Sequence, residues 1–147
     1  MLKDERGFTM VELLLVLLGA VLFANIGLAT HKAVDRMTLF MTAREIQTLI
    51  RKTQDRAYGE QEVYEVGFYS LTGKCAQINN NKAIEVITIP RGIVLEPTNF
   101  PGGNLYFSGK LAPKGGGTIF LKSRSHKVEI TVLPVTGRVK IYPIDRK

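Results

Sequence analysis

A short polar segment followed by a long apolar run marks the beginning of the chain. Residues 1–7 include four charged side chains, whereas residues 8–29 include just three polar ones, namely Thr9, Glu12 and Asn25. Because a helix rises about 1.5 Å per residue, the apolar run would be about 33 Å long, enough to cross the hydrocarbon core of a bilayer. The pattern therefore predicts a membrane-spanning helix.

Helical periodicity continues beyond the apolar run, but here apolar and charged residues alternate by face. The apolar positions recur at three- and four-residue intervals, with Thr53 filling the one longer gap: Leu39, Ala43, Ile46, Ile50 and Ala57. No proline occurs before Pro90, and Gly59 is a candidate C-terminal cap. We therefore predict one helix over residues 8–58, whose second half packs on a globular domain.

After Gly59 the hydrophobic period changes from that of a helix to that of a strand. Turn sequences rich in glycine, asparagine and proline separate eight candidate strands: 63–69, 74–78, 83–89, 93–96, 105–108, 118–122, 127–133 and 138–144. Strands do not alternate with helices, which argues against a parallel doubly wound fold. The sequence predicts an α+β fold, in which the long N-terminal helix packs on a small antiparallel β-sheet domain.

Glu12 is the least expected residue of the apolar run. A carboxylate at the centre of a membrane helix costs about 2.5 kcal/mol or more. It lies within the stretch Gly-Phe-Thr-Met-Val-Glu at positions 7–12, which follows a short polar leader and precedes the apolar run. This arrangement resembles the class III signal of type IV pilins and pseudopilins.

The resemblance implies a role for each of three residues. A prepilin peptidase would cut between Gly7 and Phe8, Phe8 would become N-methylated, and Glu12 would assist assembly. The implied organisation is a leader peptide (1–7), a transmembrane or filament-core helix (8–30), and an amphipathic half-helix with a β-rich pseudopilin domain (31–147). The subunit would cross the cell membrane once, with its C-terminal domain outside, and would reach the cell surface in the assembled pilus.

Two simpler kinds of N-terminal segment would account for fewer of these residues. An ordinary secretory signal has its cleavage site after the apolar run, whereas the candidate site here precedes it. A plain single-span anchor leaves Glu12 and the Gly7–Phe8 pair without a role. Charge bias does not set the orientation, because the four leader charges cancel.

The C-terminal part carries a second resemblance. The segments 117–121, 128–132 and 136–141 are similar to the end of GspH/FimT-like minor pseudopilins, and 105–108 with the glycine-rich loop is most similar to the ComGD type of the Gram-positive competence apparatus. This resemblance implies a structural minor pseudopilin of a competence pilus that takes part in DNA binding and uptake. Its implied partners are the prepilin peptidase, major and other minor pseudopilins, the assembly platform, the motor ATPase and the membrane. The alternative is a minor subunit of a type II secretion system or a type IV pilus.

The amino-acid composition makes the chain basic. The chain has 20 Lys and Arg against 13 Asp and Glu, and its net charge of +7 survives removal of the leader. A basic exported domain can meet nucleic acid, anionic lipid or wall polymers. The stretch 122–127 predicts a hairpin tip that is either simply solvated or a DNA contact without sequence preference, with Lys122, Arg124 and Lys127 as candidate contacts.

No pattern in the sequence indicates catalysis. Cys75 is the only cysteine, which excludes an intramolecular disulfide, and a buried thiol is expected there. His31 and His126 lie far from it and from each other, so no metal or nucleophile arrangement is recognisable. The glycines at 115–117 lack a following Gly-Lys-Ser/Thr and precede a strand. We predict no catalytic residue, no metal and no cofactor; a membrane-anchored enzyme is the opposing hypothesis.

Overall fold

The computed structural model describes residues 9–144, without the side chains of residues 25–32 and 144. Gly7 and Phe8 lie outside the described residues. The chain divides into two compact units, Met1–Val34 and Asp35–Lys147. The buried residues of the hydrophobic core all belong to the second unit, beginning with Leu39.

One helix, α1, extends over Met10–Glu60. In the first unit its large apolar side chains are uncovered: eleven of them between Met10 and Phe23 are 55–78% exposed. Within the described residues, no helix is long and apolar enough to cross a membrane. The membrane-spanning helix therefore stays a prediction from the sequence.

The end of α1 differs from the prediction. Gly59 is not the cap, because the helix runs on to Glu60 and the left-handed residue after it is Gln61, with φ of 55°. The Gln61 side chain donates a hydrogen bond of 2.6 Å from Nε2 to the carbonyl oxygen of Tyr58, which satisfies one of the free carbonyls of the last turn. This local bond allows a residue other than glycine to end the helix.

Eight strands follow, at or within two residues of the predicted positions: β1 Val63–Tyr69, β2 Lys74–Asn79, β3 Lys82–Thr88, β4 Val94–Leu95, β5 Leu105–Ser108, β6 Gly117–Lys122, β7 Lys127–Val132 and β8 Val139–Ile144. They form two antiparallel sheets of four strands, with orders β3-β2-β1-β5 and β4-β6-β7-β8. A 3₁₀ turn over Pro101–Gly103, which the sequence did not predict, precedes β5. The α+β class with antiparallel sheets is confirmed.

The hydrophobic core lies between the second half of α1 and both sheets. Every position of the predicted amphipathic face is 0% exposed, Thr53 included. Alternate residues of the strands complete the core, as the period of two requires: Tyr64 and Val66 in β1, Ile119 and Leu121 in β6, and Val128, Ile130 and Val132 in β7. The packing of the half-helix on the β domain is thus as predicted.

Candidate functional site

Glu12 forms a reciprocal cap at the start of α1. Its Oε2 accepts hydrogen bonds from the backbone N–H of Thr9 (2.9 Å) and from Thr9 Oγ1 (3.1 Å). The backbone N–H of Glu12 in turn donates to Thr9 Oγ1 at 3.3 Å. This is a capping box, in which a Thr at the N-cap and a Glu three residues later satisfy each other's backbone donors.

The capping box is a role of Glu12 beyond the one predicted for it. The Thr-x-x-Glu spacing at 9–12 is visible in the sequence and would have indicated it. The cap leaves Glu12 exposed, and its carboxylate is held next to the backbone of Thr9. The role of Glu12 in assembly stays a prediction, as do the cleavage and methylation at Gly7 and Phe8.

The predicted basic tip is the β6–β7 hairpin. Lys122 and Lys127 are cross-strand partners, and the turn between them is closed by a backbone hydrogen bond of 2.8 Å from Ser123 N–H to the carbonyl of His126. Arg124 is exposed at the turn. The three candidate DNA contacts therefore lie close together, as expected.

Lys127 differs from Lys122 and Arg124 because its ammonium group already forms an ion pair. Its Nζ lies 2.7 Å from Glu96 Oε2 and 4.2 Å from the centre of the Phe120 ring, and its side chain is 23% exposed. An ammonium that is paired with a carboxylate and lies over an aromatic face has less to gain from a phosphate. Lys122 and Arg124 are the cations of the tip without such a partner among the described residues.

Two glutamines of α1 attach the helix to the C-terminal part of the domain. Gln47 Nε2 donates to the carbonyl oxygen of Val139 at 3.0 Å, and Gln54 Nε2 donates to that of Leu111 at 2.5 Å. Gly137 has φ of 65° and lies so close to the Gln54 amide and the Leu111 carbonyl that a Cβ there would collide with both. The β5–β6 loop and the β7–β8 turn therefore meet at one face of α1.

A groove of about 490 Å³ lies on the other flank of α1, beside strand β3. A salt bridge of 2.9 Å between Lys52 Nζ and Glu85 Oε1 crosses one part of it, and Met41, Leu49 and Ile87 supply apolar lining. Among the described residues that line the groove there is no cysteine, serine or histidine. The groove thus offers no activated nucleophile with a histidine base.

Cys75 is a buried core residue, as predicted. It is 0% exposed on the inward face of β2, and burial raises the pKa of its thiol to about 12. A thiol with so high a pKa is a poor nucleophile, because the thiolate is the reactive form. Among the described residues, no group of three His, Cys, Asp or Glu side chains could hold a metal ion.

Comparison with known proteins gives structural but not sequence relatives. No family model matches the chain, and no curated protein matches its sequence. Among solved structures, the type IV minor pilin FimU of Pseudomonas aeruginosa is similar with a TM-score of 0.60 and 10% identity, over 74% of this chain and 91% of that one. The minor pseudopilin EpsH from the type 2 secretion system of Vibrio cholerae gives a TM-score of 0.59 and 11% identity, over 71% and 96%. The fold of this chain is therefore pilin-like, of the kind found in minor pilins and minor pseudopilins.

Proposed function

We propose that the chain is a minor pseudopilin, a structural subunit that associates with other pilin-like subunits in a pilus or pseudopilus and has no catalytic role. The observation that carries the proposal is the first half of α1. Its apolar side chains are exposed all around the helix, and such a surface is stable only in lipid or against other apolar helices. The pilin-like fold of the second unit supports the same function.

The proposed life cycle has two stages. Residues 8–30 hold the precursor in the cell membrane with its C-terminal domain outside, and the prepilin peptidase removes residues 1–7. The assembly platform and its motor ATPase then transfer the subunit from lipid into the filament, where the same helix packs against those of major and minor pseudopilins. A surface that is apolar on every side suits both environments.

The proposed function of Glu12 in this transfer is electrostatic. Cleavage after Gly7 would create a positive amine at Phe8, one residue before the Thr9 backbone that already binds the Glu12 carboxylate. The carboxylate would pair with that amine, of its own chain or of a neighbour, once the helix enters the filament. Burying the two charges together offsets the cost of removing either from water.

The system that we propose is the competence apparatus, in which the subunit takes part in DNA binding and uptake. This finer assignment rests on the resemblance of the C-terminal segments to the ComGD type and on the basic charge of the chain. The second candidate is a minor subunit of a type II secretion system or a type IV pilus, and the fold shared with EpsH and FimU favours it equally.

A pair of substitutions separates the charge of Glu12 from its capping function. Gln also serves at the third position of a capping box, so Glu12→Gln keeps the cap and removes the charge. Thr9→Ala keeps the charge and removes the side-chain part of the cap. We expect Glu12→Gln to be processed, as intact mass would show, but to be absent from sheared filaments, and Thr9→Ala to assemble. Normal incorporation of the Glu12→Gln protein would overturn the assembly role.

A further inference from the structure

Three segments that are distant in sequence meet at one junction: α1, the β5–β6 loop, and the β7–β8 turn with the start of β8. The hydrogen bond from Gln54 brings Leu111 of the β5–β6 loop to the helix, and the bond from Gln47 brings Val139, the first residue of β8. Gly137 lies against both Gln54 and Leu111, so the β7–β8 turn is part of the same junction. All of these residues belong to the second unit.

Each of the three segments contributes a cation, which either adjoins a contact residue in sequence or lies on the same helix face as one. Arg51 lies four residues after Gln47 and three before Gln54, which places it on the same face of the helix. Lys110 precedes Leu111, and Arg138 lies between Gly137 and Val139. We call Arg51, Lys110 and Arg138 the cationic junction. All three side chains are exposed, and none forms an ion pair within the part of the chain that the structure describes.

Acidic residues are absent from the two non-helical segments of the junction. Residues 97–117 and 133–143 contain no Asp or Glu, although they contain Lys110, Lys114, Arg138 and Lys140. The acid nearest along the helix is Asp55, one turn beyond Arg51, and it is not in ion-pair contact with Arg51 within residues 9–144. Within residues 9–144, therefore, no ion pair compensates the positive charges at this junction, whereas Lys52 and Lys127 are paired with Glu85 and Glu96.

The form of the junction indicates what kind of anion it suits. Its cations are exposed ends on a helix, a loop and a turn, so they do not enclose a small anion. A polymer with regularly repeated charges can contact all three at once and release a counterion at each contact. We propose that the cationic junction, rather than the β6–β7 tip, binds the phosphodiester backbone of DNA, and does so without reading its bases. This proposal deepens the competence function proposed above and rests on it for the identity of the polymer.

The test compares three triple variants of the full chain in detergent micelles. The first neutralises the junction: Arg51→Gln, Lys110→Gln and Arg138→Gln. The matched control removes the same charge from exposed cations elsewhere on the second unit: Lys74→Gln, Lys82→Gln and Arg91→Gln. The third neutralises the tip: Lys122→Gln, Arg124→Gln and Lys127→Gln. Binding of a short fluorescent DNA duplex is measured by anisotropy over a series of salt concentrations, and thermal unfolding checks that each variant is folded.

We expect the junction variant to lose affinity at least about tenfold near 100 mM salt, for duplexes of any sequence. The slope of log K against log salt should fall in magnitude by about 2.7, since each lost phosphate contact removes about 0.9. The matched control should retain nearly the parental affinity and slope.

Three results would contradict the inference. An equal loss in the matched control would show that net charge alone attracts DNA, and a loss confined to the tip variant would place the contact at the hairpin. If the parent chain binds no DNA, this inference and the competence assignment both fail. Incorporation of the parent into filaments, measured separately, would still support the structural function, so the two failures are distinguishable.

Discussion

The two halves of α1 have similar helical geometry but opposite relations to their surroundings. Between Met10 and Phe23, eleven large apolar side chains are 55–78% exposed, whereas Leu39, Ile46 and Ile50 in the second half are 0% exposed. The second half finds its apolar partners in the two sheets of its own chain. The first half has no such partners among the described residues, and we propose that lipid or other subunits cover it.

The polar residues of the two halves of α1 also differ in what they bind. In the second half, Gln47 and Gln54 donate to backbone carbonyls of the β domain and so fix the helix to it. In the first half, the one carboxylate, Glu12, bonds back to Thr9 and to nothing more distant within the described residues. The glutamines of the second half thus link the helix to the β domain, whereas Glu12 caps its own helix. Its pairing with another chain belongs to the proposed function.

Truncating one apolar residue in each half tests this comparison most strongly. Ile46→Ala removes a fully buried side chain and should lower the free energy of unfolding by about 2–5 kcal/mol. Leu14→Ala, at a position that is 56% exposed, should leave it unchanged. The five tyrosines all lie in the second unit, so their near-ultraviolet circular dichroism in urea reports its unfolding specifically.

In an assembly experiment, by contrast, we expect a defect of the Leu14→Ala variant. Leu14→Ala weakens the apolar surface by about 2 kcal/mol of burial, so less of it should enter filaments even though its domain is stable. If Leu14→Ala destabilises the tyrosine-reported transition as much as Ile46→Ala does, the first half of α1 contributes to the fold of the domain, and the comparison is wrong.

Local patterns in the sequence were sufficient for the elements but not for their arrangement. Period-two alternation located all eight strands, and the three- and four-residue spacing located the buried face of the helix. The pairing of β5 with β1, which leaves β4 in the other sheet, joins strands about 40 residues apart along the sequence. No local periodicity encodes such pairing, because it depends on which surfaces pack best in three dimensions.

The contacts of the site residues are also of two kinds, local ones that the sequence indicates and long-range ones that it does not. The Thr9–Glu12 cap is a local pattern and could have been predicted. The pairing of Lys127 with Glu96 spans 31 residues, and the junction of Arg51 with Lys110 and Arg138 depends on two long-range glutamine bonds. The contact of Gln77 is likewise not visible in a local pattern: Gln77 occupies an inward position of β2, and Arg56 donates to its Oε1 at 3.1 Å. Charge composition alone could not distinguish a paired cation from a free one.

Two glycines offer a second, smaller test of the contrast between the halves. Gly137→Ala must place a Cβ in the left-handed region and against the Gln54 amide, so we expect a loss of about 2–3 kcal/mol from backbone strain and the displaced hydrogen bond. At Gly19, within the first half of α1, an added Cβ would meet no atom within 4 Å. Gly19→Ala should favour the helix by up to about 1 kcal/mol and leave the tyrosine-reported transition unchanged. A harmless Gly137→Ala would show that the β7–β8 turn is not held against α1.

The smallest effect concerns the pH dependence of the second unit, where Cys75 is buried as a neutral thiol. Its pKa is about 12 in the folded protein and about 8.5 in an unfolded chain. Because the folded pKa is the higher one, the stabilisation is fully present below about pH 8.5 and is lost as the pH rises toward 12. At pH 10 the loss should be about 1–2 kcal/mol relative to pH 7.

Tyr64, whose pKa is raised by the hydrogen bond it donates to Glu60, adds a loss of the same sign above pH 10. Cys75→Ala keeps Tyr64 and removes the thiol, so the difference between the two proteins isolates Cys75. Urea unfolding at both pH values should show a smaller alkaline loss in Cys75→Ala, and an equal loss would mean that the thiol is not buried in the folded domain.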